Sequence, residues 1–195
     1  MNVGPDTSIR QRTVSDHAIW AKLRGTPMEG AEGPLRALVE AYRIDPNWAL
    51  SYLQWESGFG SSAIGRANPS NPWDILCYPG QWGQVAEYRP GNGYCYAVYP
   101  DLATGLEAGF RLWSSYADSG WSTWFASLSR ALCGVPSGCD SPWVANVIAT
   151  GQANAAQWPA GGSSDPAGPP GLPRFSPLML GALVGLGLFM AGSGD

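Results

Sequence analysis

The chain has 195 residues, of which 13% are charged, and its formal net charge is −4. No block of Lys and Arg occurs anywhere along it, so the sequence lacks the positive surface of a nucleic-acid-binding protein and predicts no nucleic-acid partner. The length suits one ordinary domain with residues left over for a linker or an anchor.

The chain contains four cysteines, at positions 77, 95, 133 and 139. Their spacing does not match the close pairs of a zinc site. Closing the shortest loops predicts the disulfides Cys77–Cys95 and Cys133–Cys139, although four cysteines permit three connectivities and free thiols are the alternative. Disulfides indicate a site of action outside a reducing cytosol. Residues 1–6, however, have neither the basic nor the apolar region of a secretory signal peptide.

The first half of the chain alternates between polar segments and helical patterns. Residues 1–30 are mixed and polar, with one possible short helix near residues 18–23, and are predicted to form an N-terminal arm. A helix is predicted from Pro34, because apolar residues recur at helical spacing after it. A second helix is predicted from Pro46 to Gly58, with Asp45 as its N-cap.

The helical period is lost between residues 61 and 99. Residues 84–88 and 94–99 have strand-like composition and flank a Pro/Gly-rich turn, which predicts a β-hairpin. Helical patterns return after Asp101, which is the predicted N-cap of the next helix, and further helices are predicted at 121–133 and 141–157. The predicted fold class is therefore mainly α (α+β), a helical domain over residues 31–158 with a small β-hairpin lobe.

The C-terminal segment has a different composition. Residues 159–174 are rich in Pro, Gly and Ser and predict a linker. Residues 175–194 contain no charged side chain and are long enough to cross a hydrocarbon layer of about 30 Å, so they predict a transmembrane helix that binds a lipid membrane. A buried core helix is the alternative.

Carboxylates are the candidate catalytic groups. His17 is the only histidine, which excludes a Ser-His-Asp arrangement, and neither a phosphate-binding loop nor a metal-binding cluster is present, so no cofactor is predicted. Glu56 continues the apolar stripe of Ala49 and Leu53 on the second helix. Burial there would raise its pKa, as a general acid requires. The alternative is a structural glutamate that bonds a neighbouring group at the helix end.

Several segments together resemble one enzyme family. Residues 45–62 contain the sequence Trp-Glu-Ser-Gly-Phe-Gly after an apolar helix, residues 70–75 read Ser-Asn-Pro-Trp-Asp-Ile, residues 86–88 read Ala-Glu-Tyr, and residues 96–102 read Tyr-Ala-Val-Tyr-Pro-Asp-Leu. In this order and spacing they resemble the glucosaminidase family of peptidoglycan hydrolases, glycoside hydrolase family 73. The resemblance covers residues 34–157.

The resemblance implies a lysozyme-like fold and hydrolysis of β-1,4 bonds after N-acetylglucosamine in peptidoglycan glycan strands. It implies Glu56 as the general acid and Glu87 as the second carboxylate, on a mobile hairpin. It also implies a set of substrate-binding residues, comprising Phe59, Asn71, Trp73, Tyr88 and Tyr99. A solvated hairpin residue is the alternative for Glu87, and a core aromatic is the alternative for Tyr99.

Two features depart from the family pattern. Asp74 stands where the family has Gly, and this second acid could share acid and base work with Glu56. A Cys77–Cys95 disulfide would restrict any large movement of the hairpin that carries Glu87.

The expected biological setting follows from an anchor without a signal peptide. A virion component with virion proteins as partners, located in an internal membrane or entry apparatus, would reach the wall directly. A lysis protein in the host cell envelope is the second setting. Two other functions stay open, a lytic transglycosylase of the same fold and a membrane protein that binds cell-wall glycan without cutting it.

Overall fold

A computed structural model describes residues 3–16, 18–77, 82–135, 139 and 141–160 of the protein. The predicted membrane helix at 175–194 and most of the predicted linker lie outside these described residues, as does His17. Within them, no helix is both long enough and apolar enough to cross a membrane. The anchor therefore stays a prediction.

The described part of the chain is mainly helical and has a small antiparallel sheet, as the sequence predicted. A 3-10 helix at Ile19–Leu23 precedes the first α-helix. In chain order the other elements are α1 (Glu32–Tyr42), α2 (Pro46–Glu56), α3 (Ala63–Ala67), β1 (Ala86–Tyr88), β2 (Tyr96–Val98), α4 (Leu102–Asp118), α5 (Trp124–Cys133) and α6 (Pro142–Gln157).

Side-chain caps fix where the two helices nearest the site begin. The Asp45 carboxylate accepts a hydrogen bond from the Asn47 amide at 3.2 Å, and Pro46 occupies the first helical position. The Asp101 carboxylate accepts from the Thr104 amide at 2.7 Å at the start of α4. Both predicted N-caps are confirmed. Helix α3 was missed, because five residues are too few to show a helical period.

The N-terminal residues pack into the helical domain and do not form the separate arm that the sequence predicted. The Ile9 amide donates to the Ser122 carbonyl, and the Ile9 carbonyl accepts from the Asp45 amide, both at 2.7 Å. The Thr13 hydroxyl donates to the buried Asp45 carboxylate at 2.5 Å. Several apolar side chains of this region are fully buried, namely Ile9, Val14, Ile19 and Leu23. They are too widely spaced in sequence to produce a helical or strand pattern, so the region reads as polar.

Aromatic rings fill the centre of the domain. Trp113 on α4 lies at its centre, with ring centroids 4.2 Å from Trp73, 4.5 Å from Trp48 and 5.0 Å from Tyr52. Trp48, Trp73 and Trp113 are almost completely buried. This part of the aromatic content therefore serves core packing, in which edge-to-face contacts add to the burial of apolar area.

The β lobe is held by hydrogen bonds and a disulfide. Strands β1 and β2 pair with Glu87 opposite Ala97 and Tyr88 opposite Tyr96. On the other side of β2, the Cys77 amide donates to the Cys95 carbonyl at 2.9 Å. The Cys77–Cys95 and Cys133–Cys139 disulfides are both present, which confirms the predicted pairing.

At Gly105, helix α4 packs closely against the backbone of Ser70. A Cβ atom at this position would lie 1.7 Å from the Ser70 carbonyl oxygen, a backbone atom that cannot rotate away. We expect Gly105→Ala to lower the free energy of unfolding by at least about 3 kcal/mol, measured by urea denaturation. Gly33→Ala on α1 is the matched control, because nothing lies within 4 Å of its added Cβ, and we expect it to raise stability by up to about 1 kcal/mol. Equal stability of the two variants would contradict this packing.

Candidate functional site

Glu56 is the last residue of α2, and its side chain is half-buried. The preceding residues on its helix face, Ala49 and Leu53, are fully buried, so the apolar stripe brings the carboxyl group to the edge of the core. Tyr52 lies one turn earlier and donates a hydrogen bond from its hydroxyl to the Glu56 carboxylate. Helical i, i+4 spacing alone places these two side chains side by side.

The surroundings of Glu56 favour its protonated form. Burial is the largest cause, and the negative charge of Asp74 is the second; together they raise the pKa of Glu56 to about 8, against the opposing effect of the Tyr52 hydrogen bond. An isolated glutamate has a pKa near 4.3 and is ionised at neutral pH. Glu56 therefore holds a proton at neutral pH that it can transfer to a ligand.

Asp74 is the second acidic group at this place. Its negative charge acts on both Glu56 and Tyr52, so the three groups lie within the range of electrostatic interaction. Burial raises the pKa of Asp74 to about 7. Its Oδ1 atom is buried and has no hydrogen-bond partner among the described residues. Asp74, which the sequence offered only as a minor partner, therefore acts electrostatically on Glu56 in the structure.

The backbone at Asp74 has a left-handed conformation, with φ +50°. Aspartate tolerates this region better than most residues, but glycine adopts it without steric cost. Strained backbone of this kind concentrates at functional sites, where the surrounding structure enforces it. An aspartate at a position that suits glycine is consistent with a role for its carboxyl group.

Asn71 holds the turn that carries Asp74. Its side chain is fully buried; the amide nitrogen donates to the carbonyls of Ile75 at 2.9 Å and Ala97 at 3.0 Å, and the amide oxygen accepts from the Ile75 amide at 3.0 Å. The Asp74 amide in turn donates to the Asn71 carbonyl at 3.3 Å. Asn71 therefore holds the turn that carries Asp74, and the substrate-binding role that the resemblance implies for it stays a prediction.

The turn after Glu56 contains three successive left-handed residues, Gly58, Phe59 and Gly60, with φ of +56°, +55° and +84°. The Phe59 side chain is buried, and its amide donates to the Leu53 carbonyl at 3.3 Å. Phe59 thus anchors the turn to the core. Its side chain is buried, and the substrate-binding role that the resemblance implies for it stays a prediction.

Trp73 and Tyr99 are also buried. The Trp73 indole lies against Gly109 and donates to the Leu106 carbonyl at 3.1 Å. The Tyr99 ring packs beside Gly105, and burial raises the pKa of its hydroxyl to about 12. Both rings therefore pack against α4, and the substrate-binding roles that the resemblance implies for them stay predictions.

Glu87 lies on strand β1 in a different setting from Asp74. Its carboxylate is exposed and accepts from Arg89 at 2.8 Å. The same carboxylate lies within 4.8 Å of the Cys77 and Cys95 sulfurs, which are joined in the disulfide and therefore are not thiolates that could bind a metal. Glu87 is not among the groups that shift the pKa of Glu56. The half-buried Tyr88, opposite Tyr96, points to the other face of the sheet.

Three aromatic residues at the site were missed by the sequence analysis. Tyr52 could have been found from its i, i+4 spacing to Glu56. Trp143 at the start of α6 lies with its ring centroid 5.4 Å from that of Tyr52, and Tyr116 on α4 interacts electrostatically with the Tyr52 hydroxyl. Both are half-buried and come from distant parts of the chain, so no local pattern reveals them.

Comparison of the chain with protein-family models and with curated proteins finds no match.

Proposed function

We propose that the protein is a peptidoglycan hydrolase that cleaves β-1,4 glycosidic bonds in cell-wall glycan strands, with Glu56 as the general acid. The observation that carries the proposal is the buried carboxyl group of Glu56 at the edge of an aromatic core, where burial and the negative charge of Asp74 raise its pKa to about 8. Two carboxyl groups with different proton affinities are what acid-catalysed hydrolysis of a glycosidic bond uses.

The order of the two pKa values assigns the roles within this proposal. The pKa of Asp74 is raised to about 7 and that of Glu56 to about 8, so Asp74 loses its proton first as the pH rises. Glu56 donates its proton to the oxygen of the leaving sugar as the bond to the anomeric carbon breaks. Water adds to that carbon, and the ionised Asp74 accepts the proton of the water.

The second carboxylate in this proposal is Asp74, whereas the resemblance implies Glu87. Asp74 interacts electrostatically with Glu56, and Glu87 is instead paired with Arg89 on the exposed face of β1. The disulfide joins Cys77 to Cys95, just before β2, and the strand of Glu87 is hydrogen-bonded to β2, so movement of Glu87 towards Glu56 is restricted.

Product analysis tests this proposal. Full-length protein in detergent is incubated with purified peptidoglycan, and the released fragments are analysed by mass spectrometry. Hydrolysis adds water and leaves reducing sugar ends, which is the expected result. Anhydro-sugar ends would instead identify a lytic transglycosylase, and glycan binding without released fragments would identify a binding protein.

The proposal includes a membrane location through residues 175–194, whose uncharged sequence supports it. A virion component that meets the wall during entry, or a lysis protein of the host envelope, would use such an anchor. Detection of the protein in the membrane fraction of purified virus particles is the result expected for entry. Detection only in membranes of the infected cell would favour lysis.

A further inference from the structure

A groove with a volume of about 610 Å³ lies along the chain segment that connects the two carboxyl-bearing residues. One wall runs from Gly60 to Pro72, so it begins four residues after Glu56 and ends two residues before Asp74. The opposite side is formed by Pro27, Met28 and the start of α4. The groove is therefore formed by residues that adjoin Glu56 and Asp74 in the chain, although neither of these two residues lines it.

The wall of this groove is preformed. A Cβ atom on Gly65 would lie 2.9 Å from the Gly60 Cα, so helix α3 packs directly on the turn that follows Glu56. Four of the lining residues are prolines, at positions 27, 69, 72 and 100. Proline fixes its own φ, so little conformational freedom remains for a ligand to remove.

The groove surface suits a peptide better than a sugar. Its apolar contacts come from prolines, Met28 and Leu102, and no aromatic ring is among its lining residues. Glycan sites in proteins use aromatic faces for stacking, which this groove lacks. A short extended chain with small apolar side groups matches the surface better.

Arg66 gives the groove an available positive charge. Its guanidinium donates to the Ser61 carbonyl and has no carboxylate partner among the described residues. The other charged lining residue, Asp101, is engaged in capping α4 through the Thr104 amide and hydroxyl, at 2.7 and 2.8 Å. An arginine without a carboxylate partner, set in an apolar groove, is suited to bind a carboxylate through paired N–H groups.

We infer that this groove binds the peptide that branches from the glycan strand, with Arg66 receiving one of its carboxyl groups. The inference rests on the proposed function, because a peptidoglycan substrate presents sugars and peptide at adjoining places. It specifies the substrate as peptide-bearing glycan and distinguishes it from an unsubstituted polymer of N-acetylglucosamine.

Binding of two small probes to the full-length protein in detergent tests this inference without requiring catalysis. Muramyl dipeptide supplies the sugar with its peptide, and chitotetraose supplies sugars alone. We expect the wild type to bind muramyl dipeptide, and Arg66→Gln to weaken that binding at least about tenfold while leaving chitotetraose binding unchanged. Arg66→Lys keeps the positive charge, so we expect it to lose less affinity for muramyl dipeptide than Arg66→Gln does. Arg10→Gln, whose arginine pairs with Asp118 at another surface, is the control.

Absence of muramyl dipeptide binding by the wild type would overturn the inference. So would an Arg66→Gln variant that binds the dipeptide as the wild type does, or that loses both probes to the same extent. Thermal melting of each variant separates a binding defect from a folding defect. Failure of the proposed function has a different signature, namely probe binding with no glycan cleavage.

Discussion

Glu56→Gln is expected to lower kcat for glycan hydrolysis by about a thousandfold, within the range that a positioned proton donor contributes. Glutamine has the same shape and can still accept the Tyr52 hydrogen bond, but its amide does not supply the proton. The thermal unfolding temperature should therefore stay close to that of the wild type. Release of reducing ends from purified peptidoglycan measures the rate.

Two further Glu→Gln variants complete this experiment. Glu32→Gln, in the first turn of α1, is the control for a general effect of charge removal. Glu87→Gln compares the two assignments of the second carboxylate, and we expect it to change kcat far less than Glu56→Gln does. If Glu87→Gln lowers kcat as much as Glu56→Gln does, Glu87 and not Asp74 is the second carboxylate. If Glu56→Gln keeps full activity, Glu56 is not the general acid.

Asp74→Gly is expected to lower activity without lowering stability. We expect kcat to fall by about a hundredfold, because the group that accepts the proton of the water is lost. The free energy of unfolding should stay unchanged or rise by up to about 1 kcal/mol, because glycine adopts φ +50° without strain and the unpartnered carboxylate oxygen disappears. Urea denaturation and reducing-end assays on the same preparations measure both quantities.

Asp74→Asn isolates the charge of Asp74 from its shape. The negative charge of Asp74 raises the pKa of Glu56, so its removal should lower that pKa. The alkaline limb of the pH–rate profile, where Glu56 loses its proton, should then move to lower pH. A profile whose alkaline limb does not move, or a Gly variant that retains full activity, would contradict the assignment of Asp74.

Local features of the fold could be predicted because their causes are local. Asp45 as N-cap and Pro46 at the first helical position predict where α2 begins, and closure of the shortest loops predicts the Cys77–Cys95 disulfide. The placement of residues 3–30 could not be predicted in this way. Contacts such as that between Ile9 and Ser122 join distant parts of the chain, and isolated apolar residues leave no periodic signal.

In the candidate site, too, the features with local causes could be predicted and those that depend on tertiary packing could not. Glu56 could be predicted, since its place on an apolar helix face is a property of α2 alone. Asn71 and Trp73 were predicted to contact substrate because the family resemblance implies it. They are buried instead, since the turn packs against α4, where Gly105 and Gly109 leave room for backbone and indole. The need for glycine at these two positions becomes clear only once the packing of the turn against α4 is known.

Whether Glu56 holds a proton at neutral pH is tested most directly by a ¹³C NMR titration of its side-chain carboxyl in the full-length protein, with the signal assigned by its absence in Glu56→Gln. We expect this carboxyl to stay protonated through neutral pH, with a midpoint near the pKa of about 8, and we expect Asp74→Asn to lower the midpoint. Because the two acids interact, the curve belongs to the pair, and both signals should respond in the same pH range. A Glu56 carboxyl that titrates near the ordinary glutamate pKa of about 4.3, unaffected by Asp74→Asn, would show that Glu56 is not a proton donor at neutral pH.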